Sequence, residues 1–261
     1  MVLSSKKILL TGATGGIGGA IAKALSDEGA TLILTARDEE KLTALKENIG
    51  NVRHQILALD LNNNNDREKL YGVVEKENID VLINNAGINQ LSLLEDTSDA
   101  DISQIVSTNL VVPMMLCREI HKTLKQRPES VIVNIGSILG SIGYAGSTSY
   151  CASKFGLRGF TEAFRREVAD STVNVIYFAP RATDTALNTD KMNTLNEALG
   201  NAVDSPEHVA QRLIDALKDK HPHSYFLGWP ESLFVRLNSL LPNVVDKALL
   251  KQLPVIRRFS Q

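Results

Sequence analysis

Cysteine is scarce: the 261 residues hold only Cys117 and Cys151. Two thiols make no disulfide framework, and their spacing matches no metal-ligand pattern. Excess charge of one sign is lacking as well. Lys and Arg number 28 against 30 Asp and Glu, a formal net charge of −2. No broad positive field is there to gather nucleic acid or an anionic membrane. Long hydrophobic runs are missing too. The opening "MVLSSKKILLTGATGG" carries one short apolar run before its glycines, which suits neither a signal peptide nor a bilayer span. These absences set the expectation of a soluble protein in the reduced cytoplasm. Low-complexity sequence is confined to "NNNN" at 62–65, read as a polar loop.

What is present is regular alternation. "KILLTG", "TLILTAR", "HQILALDL", "IDVLINNAG", "SVIVNIGS" and "VNVIYFAP" are short apolar runs, and "HSYFLG" is a weaker seventh. Runs of this kind read as buried parallel strands. Between them lie segments with helical spacing, such as "IGGAIAKALSDEGA" and "DEEKLTALKENIG", each closed by a glycine. Residues 97–126 read as one long helical stretch, kinked at Pro113. Residues 149–169 and the stretch from Ser205 read as further helices. The pattern predicts an α/β fold, a doubly wound parallel sheet with helices on both faces. No linker divides it.

Four motifs lie on these elements. "TGATGGIG", Thr11 to Gly18, joins the first strand to the first helix, with Gly12, Gly16 and Gly18 spaced to let backbone approach a pyrophosphate. At the end of the second strand, Arg37 suits the 2′-phosphate of NADP, whereas Asp38 one residue later suits the ribose hydroxyls of NAD. "NNAG", Asn84 to Gly87, ends the fourth strand, where ligands of open parallel sheets bind. Tyr150 and Lys154 stand four apart on one helix face, with Ser137 at the preceding strand end. A phenol near pKa ~10 is a poor proton donor at neutrality. A neighbouring ammonium favours the phenolate and lowers that value.

Taken in order, "TGATGGIG", "NNAG", "STNL", "NIGS" and "YCASK" make the chain resemble the short-chain dehydrogenase/reductase family over roughly residues 5–228. The resemblance implies a Rossmann-type seven-stranded parallel sheet and hydride transfer between a nicotinamide and a carbonyl or alcohol carbon. It implies Tyr150 as general acid/base, Lys154 as its modulator and ribose ligand, Ser137 as holder of the substrate oxygen, and Asn109 as keeper of a helix distortion and a proton-relay water. It also implies a cofactor site of Thr11, Gly12, Thr14, Gly15, Gly16, Ile17, Gly18, Arg37, Asp60, Leu61, Asn85, Ala86, Gly87, Tyr150, Lys154, Pro180, Thr183 and Thr185, with Asn84 beside the ribose. A homodimer or homotetramer built on the helices at 100–126 and 150–169 is implied as well.

Two regions stand apart. The family commonly has P-G-x-x-x-T after the sixth strand; here "PRATDT" puts Arg181 at the glycine position. Arg181 either turns away or pairs with Asp184, or it binds an anionic group of substrate or cofactor. Residues 182–203, polar and rich in Thr and Asn, read as a substrate loop. Beyond the catalytic unit at 1–228, the extension 229–261 is apolar and basic, with Pro242 and Pro254 breaking it into short helices. It either packs on the domain or a neighbouring subunit, or touches a membrane surface or an acidic acyl-carrier protein. The expectation is therefore an NADP(H)-dependent oxidoreductase, a reductase of a hydrophobic or acyl-type ketone. An NAD-linked alcohol dehydrogenase and a non-catalytic dinucleotide sensor on the same fold are the alternatives.

Overall fold

Apolar side chains at successive positions set the strands, and all but the two edge strands bury them on both faces. In the computed structural model, which describes residues 1–50, 53–185, 190–219 and 223–260, these are β1 (Lys7–Thr11), β2 (Thr31–Ala36), β3 (Gln55–Ala58), β4 (Val81–Asn84), β5 (Ser130–Ile135), β6 (Val173–Ala179) and β7 (Tyr225–Phe226). All pair in parallel, in the order β3-β2-β1-β4-β5-β6-β7. The helices are α1 (Gly16–Asp27), α2 (Glu39–Ile49), α3 (Asn64–Glu77), α4 (Asp99–Val106), α5 (Val112–Leu124), α6 (Thr148–Glu167), α7 (Asp190–Leu199), α8 (Pro206–Lys218), α9 (Glu231–Leu240), α10 (Pro242–Leu250) and α11 (Leu253–Ser260).

Side-chain alternation along β1 divides the core in two. Ile8 and Leu10 pack with Ile21 and Leu25 of α1, Leu42 of α2, and Val209 and Leu213 of α8. Leu9 packs the other way, with Leu70 and Val74 of α3, Leu116 and Ile120 of α5, and Phe164 of α6. Each such fully buried side chain contributes roughly 1.5–3 kcal/mol. The stretch Asp99–Leu124 is long and apolar enough by composition to cross a membrane, but Val112, Leu116, Cys117, Ile120 and Leu124 are buried in this second core layer. Strand order reverses between β2-β1 and β1-β4, which places the ligand crevice at the carboxyl ends of β1 and β4.

The structure refines several expectations. "NNNN" is half helix: Asn63 caps α3, its side chain accepting from the N–H groups of Asn65 at 2.8 Å and Asp66 at 3.4 Å. Asparagine suits loops and caps alike, so composition alone does not tell them apart. The stretch 97–126 is divided by a π turn at Ser107–Val111, and Pro113 falls in the first turn of α5. A missing N–H costs least in a first turn. Within 182–203, the helix α7 stands where a loop was expected, buried through Met192 and Leu195; residues 186–189 lie outside the described residues. In the tail, Pro242 opens α10 and Pro254 sits in the first turn of α11, so both start helices.

The cap at Asn63 makes a stability prediction. Asn63→Ala removes the acceptor for two orphan N–H groups and lowers unfolding free energy by about 1 kcal/mol, read as a lower denaturant midpoint at unchanged slope.

Candidate active site

The first loop is shaped by what its glycines leave out. Gly12 has φ of +63°, and a Cβ there would lie 2.7 Å from the Ala86 Cα. A Cβ on Gly18 would strike the Gly12 carbonyl oxygen, and one on Gly16 would fall 2.6 Å from Thr185 Cγ2. The loop, the end of β4 and Thr185 therefore close around one space. The Thr11 hydroxyl accepts from the N–H groups of Asn85 and Ala86, both at 3.0 Å. Asn85 Nδ2 in turn donates to the carbonyls of Thr11 and Gly12, again at 3.0 Å. Thr11 thus builds the wall from behind and is not exposed in it. Asn84 also turns inward, donating to Asn134 Oδ1 at 2.8 Å. Gly12, Thr14, Gly15, Gly16, Ile17, Gly18, Asn85, Ala86 and Gly87 line a cleft of about 1020 Å³.

At one end of the cleft stand Arg37, Asp38 and Lys41. Asp38 caps α2, accepting from the Lys41 N–H at 3.0 Å and pairing with Lys41 Nζ at 3.3 Å. That backbone bond holds its carboxyl below the ordinary carboxylate value. Asp38 is therefore engaged, while the Arg37 guanidinium is exposed. Lys41 went unread in the sequence; its signal was the three-residue spacing from the capping Asp38. Asp60 and Leu61 line the same end. Arg67 Nη1 holds the Leu61 carbonyl at 2.8 Å, and Asn62 bridges to Ser107 at 2.8 Å and Thr108 at 3.1 Å.

Ser137, Tyr150 and Lys154 meet at the middle of the cleft. Ser137 follows β5, and Tyr150 and Lys154 open α6. Lys154 Nζ donates to the Ile135 carbonyl at 2.9 Å and lies 5.7 Å from the centre of the Tyr150 ring. Asn109 sits in the π turn, fully buried, exchanging two bonds of 2.8 Å with the Ile88 backbone and donating to Ser153 Oγ at 3.1 Å. It builds the cleft edge without facing it. Burial dominates the protonation of the pair. It pushes the Tyr150 phenol up to about 12, against a hydrogen bond from Ser137, and takes the Lys154 ammonium down to about 8. The lowered phenol expected from the lysine is not found in the chain alone.

Tyr177 of β6 is a missed member of the site. Its phenol donates to the Ser137 carbonyl at 3.2 Å, accepts from the Ser137 N–H at 3.4 Å, and lies 3.4 Å from the Lys154 carbonyl. A Cβ on Gly136 or Gly140 would collide with this side chain. An aromatic within an aliphatic strand, beside a glycine in "NIGS", was the available signal.

Arg181 does not pair with Asp184. Its Nη2 meets Asp204 Oδ1 at 2.8 Å and its Nη1 meets Glu231 Oε2 at 3.1 Å, with the Trp229 carbonyl at 3.3 Å. One guanidinium faces two carboxylates, which leaves no surplus positive charge for an anion. The same contacts tie the end of β6 to α9. Pro180, Thr183 and Thr185 line the cleft next to it. Beyond them the wall is apolar, with Leu139, Ile142, Phe234, Leu237, Val245 and Leu249.

Comparison with known proteins agrees with this geometry. A family model described as short chain dehydrogenase matches residues 6–196. The chain is 37% identical over 193 residues to Nodulation protein G of Rhizobium sp. (strain N33), covering 73% of this chain and 78% of that protein. It is 33% identical over 250 residues to 3-oxoacyl-acyl-carrier-protein reductase FabG of Vibrio harveyi, covering 93% and 98%. Among solved structures, a short-chain dehydrogenase from Streptomyces avermitilis superposes with a TM-score of 0.81 at 26% identity, covering 95% of this chain and 98% of the other. A metagenomic short-chain oxidoreductase in complex with NADP gives 0.74 at 28% identity, covering 87% and 98%. With a glycine-cradled cleft at the switch point of a seven-stranded parallel sheet and a model match over most of its length, the chain belongs to the short-chain dehydrogenase/reductase family, the NAD(P)-dependent oxidoreductases of carbonyl and alcohol groups.

Proposed function

We propose that the protein is an NADPH-dependent reductase of a hydrophobic or acyl-type ketone. The observation that carries this is the meeting of Ser137, Tyr150 and Lys154 in one cleft with the glycine loop at one side and an apolar wall at the other. The glycine loop and the amino end of α1 fit a pyrophosphate, and Gly87, beneath Lys154, leaves room for a ribose. When bound, the nicotinamide supplies the hydride. Tyr150 gives its proton to the substrate oxygen, and the Ser137 hydroxyl holds that oxygen in place. The Lys154 ammonium donates to ribose hydroxyls and stabilises the phenolate left behind. Asn109 keeps the Ile88 carbonyl where a water could pass a proton onward to Lys154.

Cofactor choice rests on Arg37 and Lys41, two cations at the adenosine end, with Asp38 engaged as a helix cap. The NADP in the metagenomic neighbour supports the same choice. The apolar wall, and the activity named for the Vibrio harveyi relative, support a ketone on an acyl chain. If Asp38 reads the ribose instead, the enzyme is an NAD-linked alcohol dehydrogenase. A non-catalytic sensor would have no use for a buried phenol and ammonium together. Assembly as a homodimer or homotetramer through α4–α5 and α6 belongs to this reading, since Met114 and Phe155 on those helices are 40% and 41% exposed. So does a cytoplasmic location, which suits two free thiols.

Tyr150→Phe is expected to remove at least ~10²-fold of NADPH-linked ketone reduction while NADPH still quenches protein fluorescence with the same affinity. Turnover by the variant at the wild-type rate would overturn the assignment. Arg37→Ala with Lys41→Ala should weaken NADPH at least roughly 10- to 100-fold, the size of one charged hydrogen bond, and leave NADH unchanged. An equal loss for both cofactors would point to Asp38.

Lys154 yields a pH prediction. Its folded value, about 8, lies below its ordinary 10.5, so the unfolded chain holds the proton more tightly. Stability lost below pH 8 is then regained as pH climbs from about 8 towards 10.5. The difference in unfolding free energy, wild type minus Lys154→Met, should rise through that window. Cys117, pushed up to about 12 by burial, acts with opposite sign above its ordinary 9 and cancels in the difference. A flat difference would show that the ammonium is not desolvated.

A further inference from the structure

The tail that walls the cleft also carries most of the exposed large hydrophobic side chains among the described residues. Among the described residues, twelve large hydrophobic side chains are exposed, and seven of them fall between Trp229 and Leu250. Leu240 is 78% exposed, Leu241 54% and Val244 59%, all at the elbow where α9 turns into α10. Folding does not explain a cluster of this kind, which marks a contact with something outside the chain.

The elbow is continuous with the cleft. Phe234 and Val244 line the cleft and are exposed at the same time. Leu237, one turn before Leu241, lines it as well. The apolar wall of the substrate end therefore runs out onto the surface through Phe234 and Val244. Arg181, through Glu231 and the Trp229 carbonyl, anchors α9 against the end of β6, so the elbow stands at a set position beside the site.

The charge along the tail is one-sided. Arg236, Lys247, Lys251, Arg257 and Arg258 are exposed, and Asp246 is the sole exposed acid of the tail among the described residues, Glu231 being paired with Arg181. The chain as a whole is −2, so this cationic surface is a local feature. A second copy packed on the elbow about a two-fold axis would set these cations against themselves. An acidic carrier protein would meet the cations but leave the large apolar side chains of the elbow in search of an apolar partner. Anionic lipid satisfies both, with headgroups for the cations and acyl chains for Leu240, Leu241 and Val244. Helices of 10 and 9 residues are too short to span a bilayer and suit lying in its surface.

The geometry points to the α9–α10 elbow as a lipid-docking surface that seats the open end of the cleft on an anionic bilayer, so that an apolar ketone enters from the membrane. This deepens the reductase reading and rests on it for the substrate; docking itself does not.

The test is co-sedimentation of the full-length protein with vesicles of phosphatidylglycerol and phosphatidylcholine, and of phosphatidylcholine alone. Binding to the mixed vesicles is expected, about tenfold weaker to phosphatidylcholine and in high salt. Leu240→Asp with Leu241→Asp, neither of which lines the cleft, should abolish it. Lys247→Glu with Lys251→Glu should weaken it about tenfold. With NADPH, the leucine variant should lose turnover of a long-chain ketone presented in vesicles and keep kcat/KM for a short soluble ketone. Absence of vesicle binding, or equal binding by the leucine variant, overturns docking. So does a change of oligomeric state in that variant, which assigns the elbow to a second copy, or binding to an acyl-carrier protein without vesicle binding. Vesicle binding without turnover of any ketone leaves docking standing and removes the reductase reading instead.

Discussion

Two backbone N–H groups meet at the Thr11 hydroxyl, those of Asn85 and Ala86, and the Asn85 amide returns two bonds to the first loop. This exchange joins the ends of β1 and β4 where strand order reverses, and it draws backbone so close that position 12 can carry no side chain. The remaining site geometry depends on it. If that junction opened, the glycine loop would lose its register with the end of β4, and Gly87 would move relative to Asn109 and Lys154. Buried donors and acceptors left unmatched there would each cost about 1–3 kcal/mol, so the junction exists whole or not at all.

The second dependence is on desolvation. Tyr150 and Lys154 are both nearly dry, which alone favours a neutral phenol and weakens the hold on the lysine proton. That is the opposite of what their spacing suggested. A phenol and an ammonium buried in this way respond strongly to charge arriving from outside. A cation placed between them would favour the phenolate far more strongly than in water, because the low dielectric magnifies the interaction. Beside them Asn109, within the π turn, fixes the Ile88 carbonyl at the cleft edge.

Much of the fold was legible because parallel strands covered on both faces read as continuous apolar runs, and because Asp38 and Ser205 announce their helices. The weak "HSYFLG" run became a strand of only two residues, as its position at the sheet edge allows. The glycine spacing and the Tyr150–Lys154 pair, which the fold brings to one cleft, were legible because their members are only a few residues apart along the chain. What stayed hidden depends on long separations. Arg181 finds partners 23 and 50 residues away, and the nearer Asp184 was the natural guess. Tyr177 reaches Ser137 across 40 residues. α7 was hidden for another reason: its polar composition suits a loop, and only packing of Met192 and Leu195 under α11 makes it a helix.

The buried phenol of Tyr177 and the bare backbone of Gly136 and Gly140 occupy one another's space. The consequence is a constraint on descent. A lineage that placed a serine or alanine at position 136 would first have to shrink the side chain at 177, and one that kept the tyrosine would be held to glycine at both other positions. Exchange at either glycine alone passes through an overpacked intermediate, and shrinking Tyr177 alone passes through one with a cavity. The three positions should therefore travel through evolution as a block, inherited together or replaced together, even though 136 follows β5 and 177 lies within β6.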